Sequence, residues 1–160
     1  MDMPEAAISF RELLAYTDYL ANRWADYFRE NSGALDINIG GKTGNLRELV
    51  KHLFVVEQFF AYRLLGKEPS AKLESATLDD LMQIHKTAHA QLLDYAATAS
   101  DEDLRVMQSF GPVNKTSNRK ILAQTVLHSV HHWAQVAMEV RQAGFPVTQP
   151  QDIIITDVME

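Results

Sequence analysis

Three histidines lie within five positions in the segment VLHSVHHWAQV, residues 126–136, and they are half of the six histidines in the chain. His128 and His132 are about one helical turn apart, so on a helix their side chains share a face. Two imidazoles in this arrangement can bind one metal ion, since neutral imidazole is the commonest metal ligand in proteins. The spacing therefore makes His128 and His132 candidate ligands.

His131 is also a near neighbour of His128, but it lies on the other side of it around the helix. The residues on the His131 side are polar, whereas those on the His132 side are mostly apolar. We therefore expect His131 to face water and His132 to face the core. The polar set is Lys120, Gln124 and Gln142, and the other set is Leu122, Thr125, Val136 and Val140.

His52 supplies a third candidate, because it shares a predicted helix face with apolar residues (Leu49, Val56, Phe59 and Phe60). A buried imidazole is costly unless it finds a polar partner. Facing helices of a bundle can bring His52 to His128 and His132, and three His ligands would leave coordination positions open, as in catalytic zinc sites. The alternative is that the three histidines bond separately within the core.

His85 and His89 form a rival pair with the same spacing, next to an apolar stripe of leucines and Met82. Periodicity does not exclude them as ligands. They could equally lie at the edge of the core, bond to neighbouring polar groups and line the same cavity.

Several other side chains are weaker candidates. Glu57 and Gln135 lie within about a turn of a proposed ligand, where they could orient it or be ordinary helix residues. Arg63 follows His52 by three turns and could hold a substrate carboxylate, although surface arginines more often extend along the apolar surface into water.

The aromatic residues Trp24, Trp133, Phe59 and Phe60 are expected in the core, with a cavity lining as the alternative. The segment GGKT at 40–43 lacks a phosphate loop's first glycine, so we expect a flexible loop there.

Four long helices must position these residues. The first is predicted to begin at Ser9, where Glu12 completes the spacing of a capping box, and the second at Asn45. The third is expected from about Thr77 to Ser100. The fourth is expected from about Ser117 to Gly144. Residues 101–116 lack helical periodicity and predict a short hairpin turning at Gly111–Pro112, and the apolar triplet near residue 154 is expected to dock on the bundle. The pattern predicts an all-α protein, a four-helix bundle.

Composition bounds the function. The chain has 160 residues, 46% of them hydrophobic, and a net charge of −6, which predicts one globular domain over residues 1–160. Cysteine is absent, so a metal site must use His, Asp or Glu. No basic cluster indicates nucleic-acid binding, and we expect neither a signal peptide nor a membrane-spanning segment. We therefore expect a cytoplasmic protein that acts on a small molecule.

Three segments together resemble the DinB/YfiT-like family. YLANRWADYF, residues 19–28, is similar to the signature of its first helix, and residues 44–66 are similar to its second helix, with His52 at the ligand position. Residues 121–147 resemble its H-x-x-x-H-x-G-Q helix, in which His128 and His132 match the ligands. Ala134 stands where the family usually has glycine, a change that leaves the ligands intact.

The resemblance implies an antiparallel four-helix bundle, often dimeric, with a divalent metal on His52, His128 and His132. We expect zinc or nickel, with iron, manganese or copper as alternatives, since imidazole suits all of these. A cofactor or substrate pocket is expected at Asn22, Trp24, Phe59 and Arg63.

Characterised relatives include bacillithiol S-transferases and mycothiol-dependent isomerases. The resemblance therefore implies a metal-dependent enzyme that uses a low-molecular-weight thiol on a small electrophile. Two alternatives stay open: a hydrolase that uses metal-bound water, and a non-catalytic metal- or ligand-binding stress protein. Apolar residues around much of the first and fourth helices, among them Leu13, Tyr16, Leu127 and Val130, also predict a homodimer.

Overall fold

The computed structural model describes residues 8–68, 76–111, 114–147 and 152–158. The first helix, α1, spans Phe10–Glu30, and its start is confirmed as a capping box. The backbone N–H of Ser9 donates to Glu12 Oε2 at 2.7 Å, and the N–H of Glu12 donates to Ser9 Oγ at 3.3 Å. A 3-10 turn, Ser32–Asp36, then leads away from the helix.

The predicted loop before the second helix contains a short antiparallel hairpin, β1 (Asn38–Gly40) and β2 (Gly44–Asn45). The hairpin ends directly at α2, Leu46–Leu64, where Asn45 Oδ1 accepts from the N–H of Glu48 at 3.0 Å. A flexible loop was the expectation here. The structure corrects it, because glycines with positive φ let the chain reverse within a few residues.

The third long helix, α3, spans Leu78–Thr98 and begins with a second capping box, formed by Thr77 and Asp80. A short helix that the sequence did not predict, α4 (Asp101–Arg105), follows it. The predicted hairpin is confirmed: β3 (Met107–Phe110) pairs with β4 (Asn114–Ser117). Gly111 in its turn has a φ of 71°, whereas Pro112 lies outside the described residues.

The last helix, α5, spans Asn118–Gln142 and completes the predicted all-α, antiparallel four-helix bundle. Helix α2 packs against α3 and α5, and α1 also packs against both. One part of the core is aromatic: Trp24 and Trp133 stack with centroids 5.9 Å apart, and Phe54 meets Trp133 edge-on. A second cluster of buried residues includes Leu14, Phe60, Leu92 and Ile121.

Most of the apolar residues that predicted a dimer are covered within one chain. On α1, Leu14 and Leu20 are buried, and Leu13, Tyr16 and Tyr19 are half-buried. On α5, however, Leu127 is 64% exposed and Val130 is 37% exposed. The tail only partly docks as expected, because Ile154 is 87% exposed. Among the described residues, none of the helices has the length and apolar character needed to cross a bilayer.

Candidate metal centre

Three imidazoles from two helices converge at one side of the bundle. Helix α2 carries His52, and one face of α5 carries His128 and His132. The Nε2 atom of His128 lies 3.3 Å from Nε2 of His52 and 3.0 Å from Nε2 of His132. One nitrogen of each of the three rings lies within 4.8 Å of the others, which is the arrangement of a group that could hold a metal ion.

The spacing of the nitrogens suits a small divalent cation. A tetrahedral zinc site with Zn–N distances of about 2.0–2.1 Å separates its nitrogens by roughly 3.3–3.4 Å. The two nitrogen–nitrogen distances of 3.3 and 3.0 Å are close to this value. Three imidazoles also leave coordination positions for a substrate or water, in contrast to the closed four-ligand shell of structural zinc.

Gln135 orients one of the three rings. Its Oε1 lies 2.6 Å from Nδ1 of His132, so Nδ1–H donates to the amide oxygen and the Nε2 lone pair points toward the other two rings. Of the two roles that the sequence left open for Gln135, this contact favours that of orienting a proposed ligand.

The surroundings also favour the neutral, metal-binding form of the rings. Burial lowers the pKa of His128 to about 4, and the neighbouring histidines His132 and His52 add to the effect. Burial likewise lowers the pKa of His132, against the opposing effect of the Gln135 hydrogen bond. Near pH 7 both rings can therefore offer a lone pair.

The environment of His52 differs from the expectation. A buried imidazole among aromatic residues was predicted, but His52 is exposed, while His128 and His132 are half-buried. The buried stripe of α2 shares Leu49 and Phe60 with the predicted face but is centred on Leu53, Phe54 and Glu57, because the helix is rotated relative to that face. The cluster is consequently open to solvent on the His52 side. His131 is exposed, as predicted.

The four residues expected to form one pocket lie in three different places. Trp24 is buried in the aromatic core, and Asn22 lines a separate cavity beside His85. Phe59 and Arg63 contact the β3–β4 hairpin. The guanidinium of Arg63 donates to the Ser109 backbone carbonyl and covers the Phe110 ring at 5.6 Å from its centroid. Arg63 thus anchors the hairpin to α2.

The rival pair, His85 and His89, lies in a separate buried polar cluster. His85 is 2% exposed, and its two ring nitrogens bond to carboxylates on different helices: Nδ1 to Glu57 at 2.7 Å and Nε2 to Asp18 at 2.9 Å. His89 bonds to the backbone carbonyl of Leu14 at 2.8 Å. These are the neighbouring polar groups that the alternative interpretation required.

Glu57 therefore orients His85, and its hydrogen bond is not to a member of the three-His cluster. Burial by itself would lower the pKa of His85, but the bonds to Asp18 and Glu57 outweigh it and raise that pKa to about 9. The hydrogen bond from His85 in turn lowers the pKa of Asp18. Asp18 was not predicted from the sequence as a site residue. The sequence did hold one signal for this cluster. Glu57 lies on the buried stripe of α2, and a buried carboxylate needs a cationic or hydrogen-bonding partner on a facing helix, here His85.

The fold and the site together define a class of protein: helical bundles in which three imidazoles from two helices form a possible metal site. The sequence profile of the DinB superfamily matches residues 35–136, a stretch that contains all three histidines. This is more than half of the chain, and the chain therefore belongs to the DinB superfamily, as its resemblance indicated.

A comparison with solved structures supports the same fold. The crystal structure of a DinB-like protein, YjoA, from Bacillus subtilis is similar to this chain with a TM-score of 0.65 at 19% sequence identity. The match covers 89% of this chain and 96% of the other. At this identity the likeness concerns the fold alone. Among curated proteins, none matches the sequence.

Proposed function

We propose that the protein is a metal-dependent enzyme in which His52, His128 and His132 hold one divalent ion, zinc or nickel before iron, manganese or copper. The observation that carries the proposal is the convergence of three imidazole nitrogens within 4.8 Å, two of them with lowered pKa values. When bound, such an ion supplies Lewis-acid chemistry that favours the deprotonated form of a thiol or of water.

The apolar residues next to His128 favour thiol transfer to a small electrophile as the reaction. The ring of Phe60 lies 6.1 Å from that of His128, and Leu127 and Val130 border His128 along α5. These apolar neighbours can exclude water from one flank of the site while the His52 flank admits the reactants. Because the chain has no cysteine, the thiol would come from a low-molecular-weight cofactor.

Hydrolysis is the second candidate, and the exposure of His52 is the observation that favours it. An open site admits water as readily as it admits a thiol. No residue of the cluster is a carboxylate that could serve as a general base beside such a water. This difference makes the thiol reaction the better supported of the two.

Metal analysis of protein purified without a histidine tag is the primary test. We expect about one equivalent of a divalent metal. Separate His52→Ala, His128→Ala and His132→Ala variants should each lose most of it, and His131→Ala, an exposed neighbour on the same helix, is the matched control. Loss of metal from the His131 variant equal to that from the others would refute the assignment.

A paired activity screen then separates the candidate reactions. The metal-loaded protein is assayed for transfer of small thiols to an electrophile and for hydrolysis of model esters and amides, with His128→Ala as the blank. Metal-dependent thiol transfer supports the leading proposal. Hydrolysis alone supports the second, and tight metal without either activity indicates a non-catalytic metal-binding protein.

We also propose that the protein is a homodimer. Leu127, Val130 and Met138 on α5 and Val55 on α2 are at least 36% exposed, although they are large and apolar. A two-fold axis near α5 would bury these side chains against their copies in an isologous interface.

A further inference from the structure

A pocket beside the three-His cluster has a chemical character that the cluster alone does not explain. We propose that this pocket, here called the hairpin pocket, binds the anionic, partly apolar end of the substrate or thiol cofactor. The inference rests on the proposed function and deepens it, because it assigns a substrate class to the same site. The class is an organic anion, such as a carboxylate, with a short apolar body and a reacting group at the opposite end.

The walls of the hairpin pocket come from α2, the β3–β4 hairpin and α5. It has a volume of about 540 Å³, within the usual range for small-molecule sites. The residues that line it are Phe60, Phe110, Lys115, Thr116, Lys120, Ile121, Ala123, Gln124 and Leu127.

Specific bonds hold the hairpin in place as a wall. Gln108 Nε2 donates to the backbone carbonyl of Arg63 at 3.0 Å and to Asn118 Oδ1 at 2.6 Å. The ring of Phe110 stacks on that of Phe60, with centroids 6.1 Å apart and planes 26° apart. The hairpin thus presents an aromatic surface to the pocket, and Phe60 continues that surface to the ring of His128.

The charge of the pocket is opposite to that of the chain. Two lysines, Lys115 on β4 and Lys120 on α5, line it without any acidic residue, whereas the chain as a whole carries a net charge of −6. Among the described residues, neither lysine ammonium forms an ion pair with a carboxylate of the chain. An anion in the pocket would therefore meet two available cations and the polar side chains of Thr116 and Gln124.

The helix connects this charge to the metal centre. Lys120, Gln124 and His128 follow one another at four-residue intervals, each step turning only about 40° around α5, so they form a slanted row that ends at a proposed metal ligand. Lys120 and His128 are about 12 Å apart along the helix axis, since each residue rises about 1.5 Å. The flexible lysine side chains shorten that span. A ligand whose anionic group lies at the lysines and whose reacting group lies at the metal centre would therefore need an apolar part about the size of one aromatic ring or a short alkyl chain between them.

A small ligand suits this site better than a polymer. Two lysines cannot neutralise the several phosphates that nucleic-acid binding requires, and the net charge of −6 would repel a polyanion. Their charge and the adjacent aromatic wall together select a molecule that is anionic at one end only.

The first test uses the protein without metal, so that it does not depend on activity. Binding of 4-phenylbutyrate and of the uncharged 4-phenylbutanol is measured by titration calorimetry or by NMR shifts. We expect the carboxylate to bind about fivefold more tightly, since each exposed ion pair changes affinity only a few-fold. The preference should shrink as the salt concentration rises.

Variants locate the effect. A double variant, Lys115→Gln with Lys120→Gln, should remove the preference for the carboxylate and leave the affinity for the alcohol unchanged. Arg119→Gln, which removes a neighbouring surface cation outside the pocket lining, should keep the preference. Equal affinities for the two probes in the wild-type protein, or a preference that survives in the double variant, would overturn the inference.

The second test separates this inference from the proposed function. Cobalt-loaded protein is titrated with a mercaptoalkanoate and with the matching mercaptoalcohol, and thiolate binding is followed by its charge-transfer absorption. Tighter binding of the mercaptoalkanoate supports the inference. Equal thiolate bands would overturn the inference but leave the proposed function standing. Failure to load cobalt would contradict the metal site, while the probes of the metal-free protein would still decide the role of the pocket.

Discussion

The two carboxylates that flank the buried ring of His85 should make the stability of the protein depend on pH in a defined direction. The folded-state pKa of His85 is about 9, against a reference value of 6.5, so the folded protein holds this proton more tightly than the unfolded chain. A raised pKa contributes stability that is fully present below about pH 6.5 and is lost as the pH rises through about 9.

The magnitude follows from the pKa difference. Each pKa unit corresponds to about 1.4 kcal/mol, so the contribution of His85 is at most about 3 kcal/mol. The side chain of Asp18 is 42% exposed, and solvent screens its share, whereas Glu57 is only 5% exposed. We therefore expect about 2–3 kcal/mol, a large fraction of the stability of a typical domain.

The assay is urea unfolding of metal-free protein at pH 6 and at pH 9.5. The wild-type protein should lose about 2–3 kcal/mol more than a His85→Gln variant between these two values. Glu57→Gln removes one charge but retains a hydrogen-bonding group, so its loss of stability should begin at lower pH than in the wild type. His131→Gln, at an exposed histidine, should behave as the wild type does. An identical pH dependence in the wild type and in His85→Gln would refute the reasoning.

The remaining predictions concern the metal centre and assembly. Alanine at any of the three proposed ligands should remove most of the bound metal, whereas His131→Ala should retain it, as elemental analysis will show. Metal should leave cooperatively as the pH falls toward about 4, the lowered pKa of His128, because protonated imidazole cannot bind it; full occupancy at about pH 3 would contradict an all-histidine site. Gln135→Ala should weaken metal binding about 10-fold in a competition titration with a chelator, since it frees the ring of His132 to rotate. Sedimentation at micromolar concentration should show a species near twice the 18.1 kDa chain mass, and Leu127→Glu should shift it to the monomer; a wild-type species at the chain mass would disprove the dimer.

Local sequence signals were sufficient for the long helices and for two of the three proposed metal ligands. The capping residues Ser9, Asn45 and Thr77 begin helices in the structure as predicted, because each side chain bonds to a backbone N–H only three residues away. His128 and His132 share a face for the same local reason, since the period of the helix is constant. The exposure of His131 followed from the polar residues around it.

Only the tertiary structure decided which residues from different helices meet. The rotation of α2 leaves His52 exposed and yet places it 3.3 Å from His128, and the same rotation turns Glu57 toward His85. Arg63 contacts the β3–β4 hairpin, whereas Asn22, which was expected in the same pocket, lines a different cavity. A helix face read from periodicity is uncertain by tens of degrees, and inter-helix contacts depend on how all the side chains pack together. Such contacts involve residues distant along the chain, so no local pattern determines them.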